Sequence, residues 1–284
     1  MISLSESSEP RLKIRARKDG YVPEPERTDL AVRVRDLHVT YKTTFEKRPT
    51  LKQALVRFGR GVRATQTVEA LKGVSFDVKN GTTLGVIGSN GAGKSTLLRV
   101  LAGIIPPSEG NVETWGRAST MLALGVGFNA ALTGRENILL GGLAAGLTKK
   151  QVLDRTQQIA DWAEEGSDRF IDRPMRTYSS GQNARVGFSV GVHMDPDILM
   201  VDEALSTGDA GFRERAAHKL EELRAQARAM LFVSHGLNSV RELCNDCIWL
   251  DHGRLVMRGH PDEVTAAYLE FLHVKETGMN AEEY

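Results

Sequence analysis

Residues 83–96 read Thr-Leu-Gly-Val-Ile-Gly-Ser-Asn-Gly-Ala-Gly-Lys-Ser-Thr. The compact apolar run 83–87 has the character of a strand buried in a parallel sheet. Leu97-Leu98-Arg99-Val100-Leu101 opens a helix. Between them, Gly88, Ser89, Asn90, Gly91, Ala92, Gly93, Lys94, Ser95 and Thr96 satisfy G-x-x-x-x-G-K-[ST] in its required strand–loop–helix setting. Glycines let the backbone curl so that successive N–H groups face inward at an anion. The helix N-terminus adds partial positive charge. Lys94 is expected to reach the β and γ phosphates of a nucleoside triphosphate, and the Ser95 hydroxyl to ligate Mg²⁺.

Working outward, Ile198-Leu199-Met200-Val201 is a second apolar strand, ending in Asp202-Glu203. Strand ends of an open parallel sheet converge on the ligand crevice. That suits Asp202 to hold Mg²⁺ and Glu203 to polarise the attacking water as general base. Residues 230–233 form a further strand, with helical 212–229 between. The alternation predicts βαβ units, a parallel or mixed sheet and an α/β fold. Residues 32–41 and 70–78 show strand alternation, and Asn80-Gly81 is a turn. From Thr133 to about Val190 the pattern is helical, with Thr148-Lys149-Lys150-Gln151 at capping-box spacing. Residues 262–272 read as a last amphipathic helix.

The 284 residues are 41% hydrophobic and 26% charged, which excludes wholesale disorder. No run reaches the roughly 18 apolar residues of a membrane span. The N-terminus lacks the apolar core of a secretory signal, and two cysteines exclude a disulfide scaffold. The net charge of +1 conceals an asymmetry, because residues 1–63 hold 15 Lys/Arg against 8 Asp/Glu. This basic front end reads either as a solvated tail or as a segment set near an anionic surface. No nucleic-acid motif accompanies it. Within it, Thr50 is placed to cap a short helix with Leu51, Leu55 and Phe58 on one face and Lys52, Arg57 and Arg60 around it. Cys244 and Cys247 form a lone C-x-x-C without further ligands, read as packing. Trp115, Trp162 and Trp249 read as core or interface aromatics.

Tyr178-Ser179-Ser180-Gly181-Gln182 lies about twenty residues before Asp202. On the residues alone, Ser-Ser-Gly ahead of a helix is also an ordinary cap. The segment resembles the signature sequence of ABC-type ATPases, usually Leu-Ser-Gly-Gly-Gln, with Tyr178 for leucine and Ser180 for the first glycine. Ser206-Thr207-Gly208-Asp209 resembles that family's D-loop. Val233-Ser234-His235 resembles the strand end that carries its switch histidine. Tyr41 stands where the family stacks an aromatic on adenine, although a basic insert separates it unusually far from Lys94. In this order the motifs identify the chain as similar to an ABC nucleotide-binding domain, a P-loop NTPase with an inserted helical subdomain.

The resemblance implies a homodimer with ATP and Mg²⁺ as cofactors. Each ATP would be held by the phosphate loop of one subunit and by Ser179, Ser180, Gly181 and Gln182 of the other. His235 would contact the γ-phosphate and stabilise the transition state. The glutamine by which most members sense Mg²⁺ and couple to a membrane partner is missing from residues 121–128. The expected organisation is a tail over 1–30, an ATP-binding core over 31–132 and 191–255 with a helical insert at 42–68, a helical signature subdomain over 133–190, and a C-terminal helix over 256–284.

Leu124-Gly125-Val126-Gly127-Phe128-Asn129-Ala130-Ala131-Leu132-Thr133-Gly134-Arg135-Glu136-Asn137 is similar to the polysaccharide-export branch of ABC transporters. That branch exports O-antigen (lipopolysaccharide), teichoic acid, galactan and related glycans. The likeness covers about residues 31–275. It implies a polyprenyl-pyrophosphate-linked glycan as cargo, a separate six-helix membrane permease, and a place on the cytoplasmic face of the inner membrane. The insert at 42–68 corresponds to an extra helix near the channel entrance, whose basic residues suit a pyrophosphate. Ending at Tyr284, the chain resembles the short form without a C-terminal carbohydrate-binding domain. The alternative is a non-transport ABC ATPase of repair, translation or cofactor assembly. Such proteins carry a second cassette or long coiled-coil or zinc insertions, which this sequence lacks. No nucleic acid is expected as a partner.

Overall fold

The strand-like segments upstream of the phosphate loop pair with one another and not with the loop's own strand. In the computed structural model, which describes residues 12–15, 29–44, 65–120, 128–145, 147–164, 169–202 and 210–281, β2 (Leu30–Thr44) and β3 (Thr65–Lys79) form a long antiparallel hairpin. β5 (Glu109–Thr114) joins β2, and β1 (Leu12–Arg15) joins β5, giving the order β1-β5-β2-β3. The stretch 1–30, expected as a tail, thus contributes a strand: Leu12-Lys13-Ile14-Arg15 alternates apolar with basic and extends the ladder at the β5 edge. The insert expected over 42–68 yields both ends, 42–44 and 65–68, to the hairpin. The residues expected to form its helix, Thr50 to Arg60, lie outside the described residues.

The second sheet is centred on β4 (Thr82–Ile87), flanked in parallel by β8 (Ala229–Val233) and β9 (Asp246–Asp251). Beyond β8 lie β7 (Ile198–Asp202) and β6 (Ala118–Thr120), both parallel. β10 (Arg254–Gly259) closes the other edge antiparallel to β9. The six strands run β10-β9-β4-β8-β7-β6, a mixed sheet of the P-loop NTPase type. Residues 256–259, expected in the C-terminal helix, belong to β10. His252 and Gly253, both at positive φ, fold them back in a tight hairpin, and the helix begins only at Pro261.

Alternation along the central strands builds a layer on each face. Leu84, Val86, Leu231 and Val233 point into a core shared with the antiparallel sheet and with α1 (Lys94–Leu101). Ile87, Met230 and Phe232 point into a second core. It is covered by α4 (Ser180–Val192), α5 (Ala210–Gln226), α6 (Leu237–Leu243) and α7 (Pro261–Ala281). A third cluster joins α2 (Gly134–Ala144), α3 (Lys149–Ala163) and the far side of α4. Trp162 knits these layers: its ring stacks on Phe188 at 5.3 Å and meets Phe212 edge-on at 5.2 Å. Trp115 and Trp249 are buried. Cys244 and Cys247 are free and buried in the second core. Burial pushes both thiols up to about 12, so the pair is apolar packing and not a reactive site.

Candidate functional site

At the end of β4 the chain turns so sharply that side chains are excluded. Gly88 has φ +145, and a Cβ there would stand 2.1 Å from Leu250 O of β9. Gly93, the N-cap of α1, has φ +106, and a Cβ would stand 2.7 Å from Ala70 O of β3. No side chain caps α1, and its first turn carries no acid. Its orphan N–H groups and partial positive charge are therefore presented to the loop. Lys94 is only 6% exposed. Its Nζ donates to Gly88 O at 2.6 Å and Ser89 O at 2.9 Å, which offsets the burial of its charge and fixes the ammonium on the loop's floor. The loop is stitched to the β9–β10 turn by Gly253 N–H donating to Ala92 O at 3.0 Å.

Above the loop opens a cleft of about 270 Å³. Asn90, Gly91, Ala92, Gly93, Lys94, Ser95 and Thr96 form one side, Val68, Glu69 and Ala70 of β3 the facing side, and Val233 and His235 the end. His235 follows β8 in a turn held by Gly236 N–H donating to Ser234 Oγ at 2.9 Å. β7 runs parallel to β8 with Asp202 paired to Val233, which brings the backbone of Asp202 beside the same end. The Ser95 hydroxyl on the cleft wall is a hard oxygen donor, the chemistry Mg²⁺ accepts alongside phosphate and water oxygens. Among the described residues no cluster of three or more His, Cys, Asp or Glu forms a metal site by itself. Glu203, Asp209 and residues 121–127 lie outside the described residues.

Tyr41 pairs with Val68 across the hairpin, and its Oη lies 3.4 Å from Thr96 Oγ1. Its half-buried ring packs against the first core, and Val68 forms the cleft wall. Neither Val68 nor Glu69 belongs to a motif, so sequence reasoning passes over both.

The signature segment forms a separate helix terminus. Ser179 is the N-cap of α4 in a capping box: Gln182 N–H donates to Ser179 Oγ at 3.2 Å, and Ser179 N–H donates to Gln182 Oε1 at 3.0 Å. The Ser179 hydroxyl accepts in this box and keeps its own proton to donate outward. A Cβ on Gly181 would meet nothing nearer than Ser179 Oγ at 3.8 Å. The fold does not require glycine there, and the exposed amides are open to an anion. Behind the cap, Tyr178 Oη donates to Phe170 O at 2.8 Å. The buried Glu164 carboxylate accepts from Phe170 N–H at 2.6 Å and Ile171 N–H at 2.7 Å. The buried Asn137 side chain accepts from Asn129 N–H at 2.7 Å and donates to Asn129 O and Thr133 O. Tyr178, Asn129, Thr133 and Asn137 lie within stretches already singled out in the sequence, whereas Glu164, Phe170 and Ile171 belong to no motif.

Three comparisons agree with this architecture. The family model described as ABC transporter matches residues 71–206. The O-antigen export system ATP-binding protein RfbB of Myxococcus xanthus is 40% identical, over 80% of this chain and 52% of its own. The teichoic acids export ATP-binding protein TagH of Listeria innocua is 42% identical, over 73% of this chain and 61% of its own. The chain thus spans about half to three fifths of the length of these curated relatives. The ABC transporter protein AbcA of Aeromonas salmonicida is 41% identical, over 73% of this chain and 67% of its own. Among solved structures, an ATP-binding subunit of an ABC transporter superposes with TM-score 0.64 at 20% identity, over 87% of this chain and 99% of its own. A dimeric ATP-binding cassette in a post-hydrolysis state with ADP and Pi gives 0.61 at 21%, over 81% and 98%. These two likenesses concern the fold.

Proposed function

Since the chain belongs to the ABC transporter family, we propose that it is the ATP-hydrolysing subunit of an exporter that moves a lipid-linked polysaccharide through a separate membrane permease. The observation that carries the reading is that one chain presents two helix N-termini suited to anions, the uncapped α1 behind the phosphate loop and, separately, the self-capped α4 behind Ser179. The printed names of the relatives, O-antigen export and teichoic acids export, support the cargo class. Among the described residues no helix is long and apolar enough to cross a membrane. In this reading the permease holds the chain at the cytoplasmic face.

In a homodimer the loop amides and Lys94 of one protomer bind the triphosphate. The Ser179 hydroxyl and Gly181 amide of its partner close over the γ-phosphate. Ser95 and Asp202 are the residues that would hold Mg²⁺, which when bound neutralises phosphate charge. Glu203 takes the proton of the attacking water, and His235 donates to the oxygens that gain charge. Donors fixed before the reaction need no reorganisation as that charge develops.

The test is gentle-detergent purification of the tagged chain from its native cells, followed by an ATPase assay. A multi-span membrane protein in the eluate, with ATPase raised by polyprenyl-pyrophosphate glycan, supports the reading; a soluble partner alone overturns it. Lys94→Ala is expected to lower hydrolysis roughly a hundredfold or more. Glu203→Gln is expected to accumulate an ATP-bound dimer by sedimentation.

A further inference from the structure

The wall facing the phosphate loop has an unusual build. On a regular strand, successive side chains leave on opposite faces, yet Val68, Glu69 and Ala70 all border the cleft. The hairpin register explains this. Leu71 pairs with Val39 and Glu69 with Thr40, so Ala70 has no partner and the strand bulges there. The bulge is wedged in place. The Ala70 carbonyl lies so close to Gly93 and Gly253 that a Cβ on either would come within 2.7 Å and 2.6 Å of it. One residue of the antiparallel sheet is thereby clamped between the phosphate loop and the β9–β10 turn, and its two predecessors are carried along the cleft rim.

What they present is an apolar side chain and a carboxylate, since Val68 is 48% exposed and Glu69 is exposed beside it. A carboxylate only accepts hydrogen bonds, and near a triphosphate it is repelled. It suits the donor-bearing, uncharged end of a nucleotide. We infer that Glu69 is a specificity-determining residue of this site, its carboxylate accepting from the ribose hydroxyls of the bound nucleotide while Val68 covers the sugar's apolar side. This rests on the reading that the cleft binds ATP.

The experiment is equilibrium binding of ATP, 2′,3′-dideoxy-ATP and ITP to the full chain, compared with the Glu69→Ala and Glu69→Gln variants. A hydrogen bond to a charged acceptor corresponds to about tenfold tighter binding of ATP in the wild-type chain. Glu69→Ala is expected to bring the ratio close to one while binding dideoxy-ATP at least as tightly as wild type, because the repulsion is gone. Glu69→Gln keeps a neutral acceptor and is expected to retain about threefold, as neutral bonds are roughly half as strong. A ratio unchanged in Glu69→Ala overturns the inference and leaves ATP binding standing. If that variant binds neither nucleotide, an undiminished ratio in Glu69→Gln overturns it equally. A change confined to ATP against ITP assigns Glu69 to the base and also overturns it. A wild-type chain that binds neither nucleotide overturns the ATP reading, and the inference with it.

Discussion

The hydroxyl of Tyr178 accepts from Gly134 N–H at 3.1 Å, joining the turn ahead of the signature helix to the first residue of α2. The same hydroxyl donates to Phe170 O, and the ring meets Phe170 edge-on at 5.0 Å. Burial pushes the phenol up to about 12, so it stays a neutral donor at any working pH. A Cβ on Gly134 would stand 2.5 Å from this oxygen. Tyr178→Phe keeps the ring contact and leaves Phe170 O its second donor, Arg173 N–H at 2.9 Å, but takes the acceptor from the Gly134 N–H at the helix end, at a cost of about 1–3 kcal/mol. Urea unfolding measures it; a midpoint equal to wild type would show that the hydroxyl braces nothing.

Ser179 has two roles that substitution can separate. Ser179→Ala removes the cap, with an expected loss of about 1 kcal/mol of stability, together with the outward hydroxyl. Ser179→Asp keeps an N-cap acceptor of equal quality and is expected to preserve the thermal midpoint. In the proposed homodimer it would set a negative charge against the partner's γ-phosphate, so ATP-driven dimerisation of the Glu203→Gln chain should be abolished. Dimerisation that survives Ser179→Asp would confine the residue to capping.

The parts of this site legible in the sequence are those whose chemistry demands contiguous residues. The phosphate loop needs its glycines, lysine and hydroxyl within one strand–loop–helix unit, and the capping box at Thr148 and Gln151 needs only a spacing of three. What escaped was written between distant segments. β5 reads Glu-Gly-Asn-Val-Glu-Thr, with little strand character of its own. It is buried because β2 and β1 flank it, and Arg33 lies 3.7 Å from its Glu113. β1 lies in a basic run that composition marks as tail. The Ala70 bulge is legible only once Gly93 and Gly253 are known to face it.

Two glycines of the phosphate loop should respond differently to the same change. Gly88→Ala drives a methyl into Leu250 O, at a distance no real Cβ tolerates, on top of roughly 1–3 kcal/mol of backbone strain. Loss of nucleotide binding and of soluble folded chain is expected. Gly91 also has positive φ, at +81, but a Cβ there meets nothing within 4 Å. Gly91→Ala is therefore expected to cost only about 1–2 kcal/mol and to fold. Thermal melts of both, with ATP titrated into the folded one, make the comparison; equal behaviour would contradict the steric account.

His193 predicts how stability responds to acid. It follows the last turn of α4, where its Nδ1 lies 2.8 Å from Ser189 O and its backbone carbonyl accepts from Arg155 at 2.7 Å. Burial holds its pKa below the usual 6.5, and Lys219 and Arg155 push the same way against Asp195 and the Ser189 carbonyl. The ring is neutral in the folded chain, whereas the unfolded chain takes up a proton below about 6.5. The unfolded state then binds more protons, so stability is full above that pH and falls as the pH drops from 6.5 toward the folded value. His193→Gln, which cannot titrate, should start lower at pH 7.5, having lost the edge-on contact with Trp162 at 5.9 Å. It should then decline less steeply between pH 7 and 5. Parallel urea-midpoint curves for the two proteins would place the acid sensitivity elsewhere in the fold.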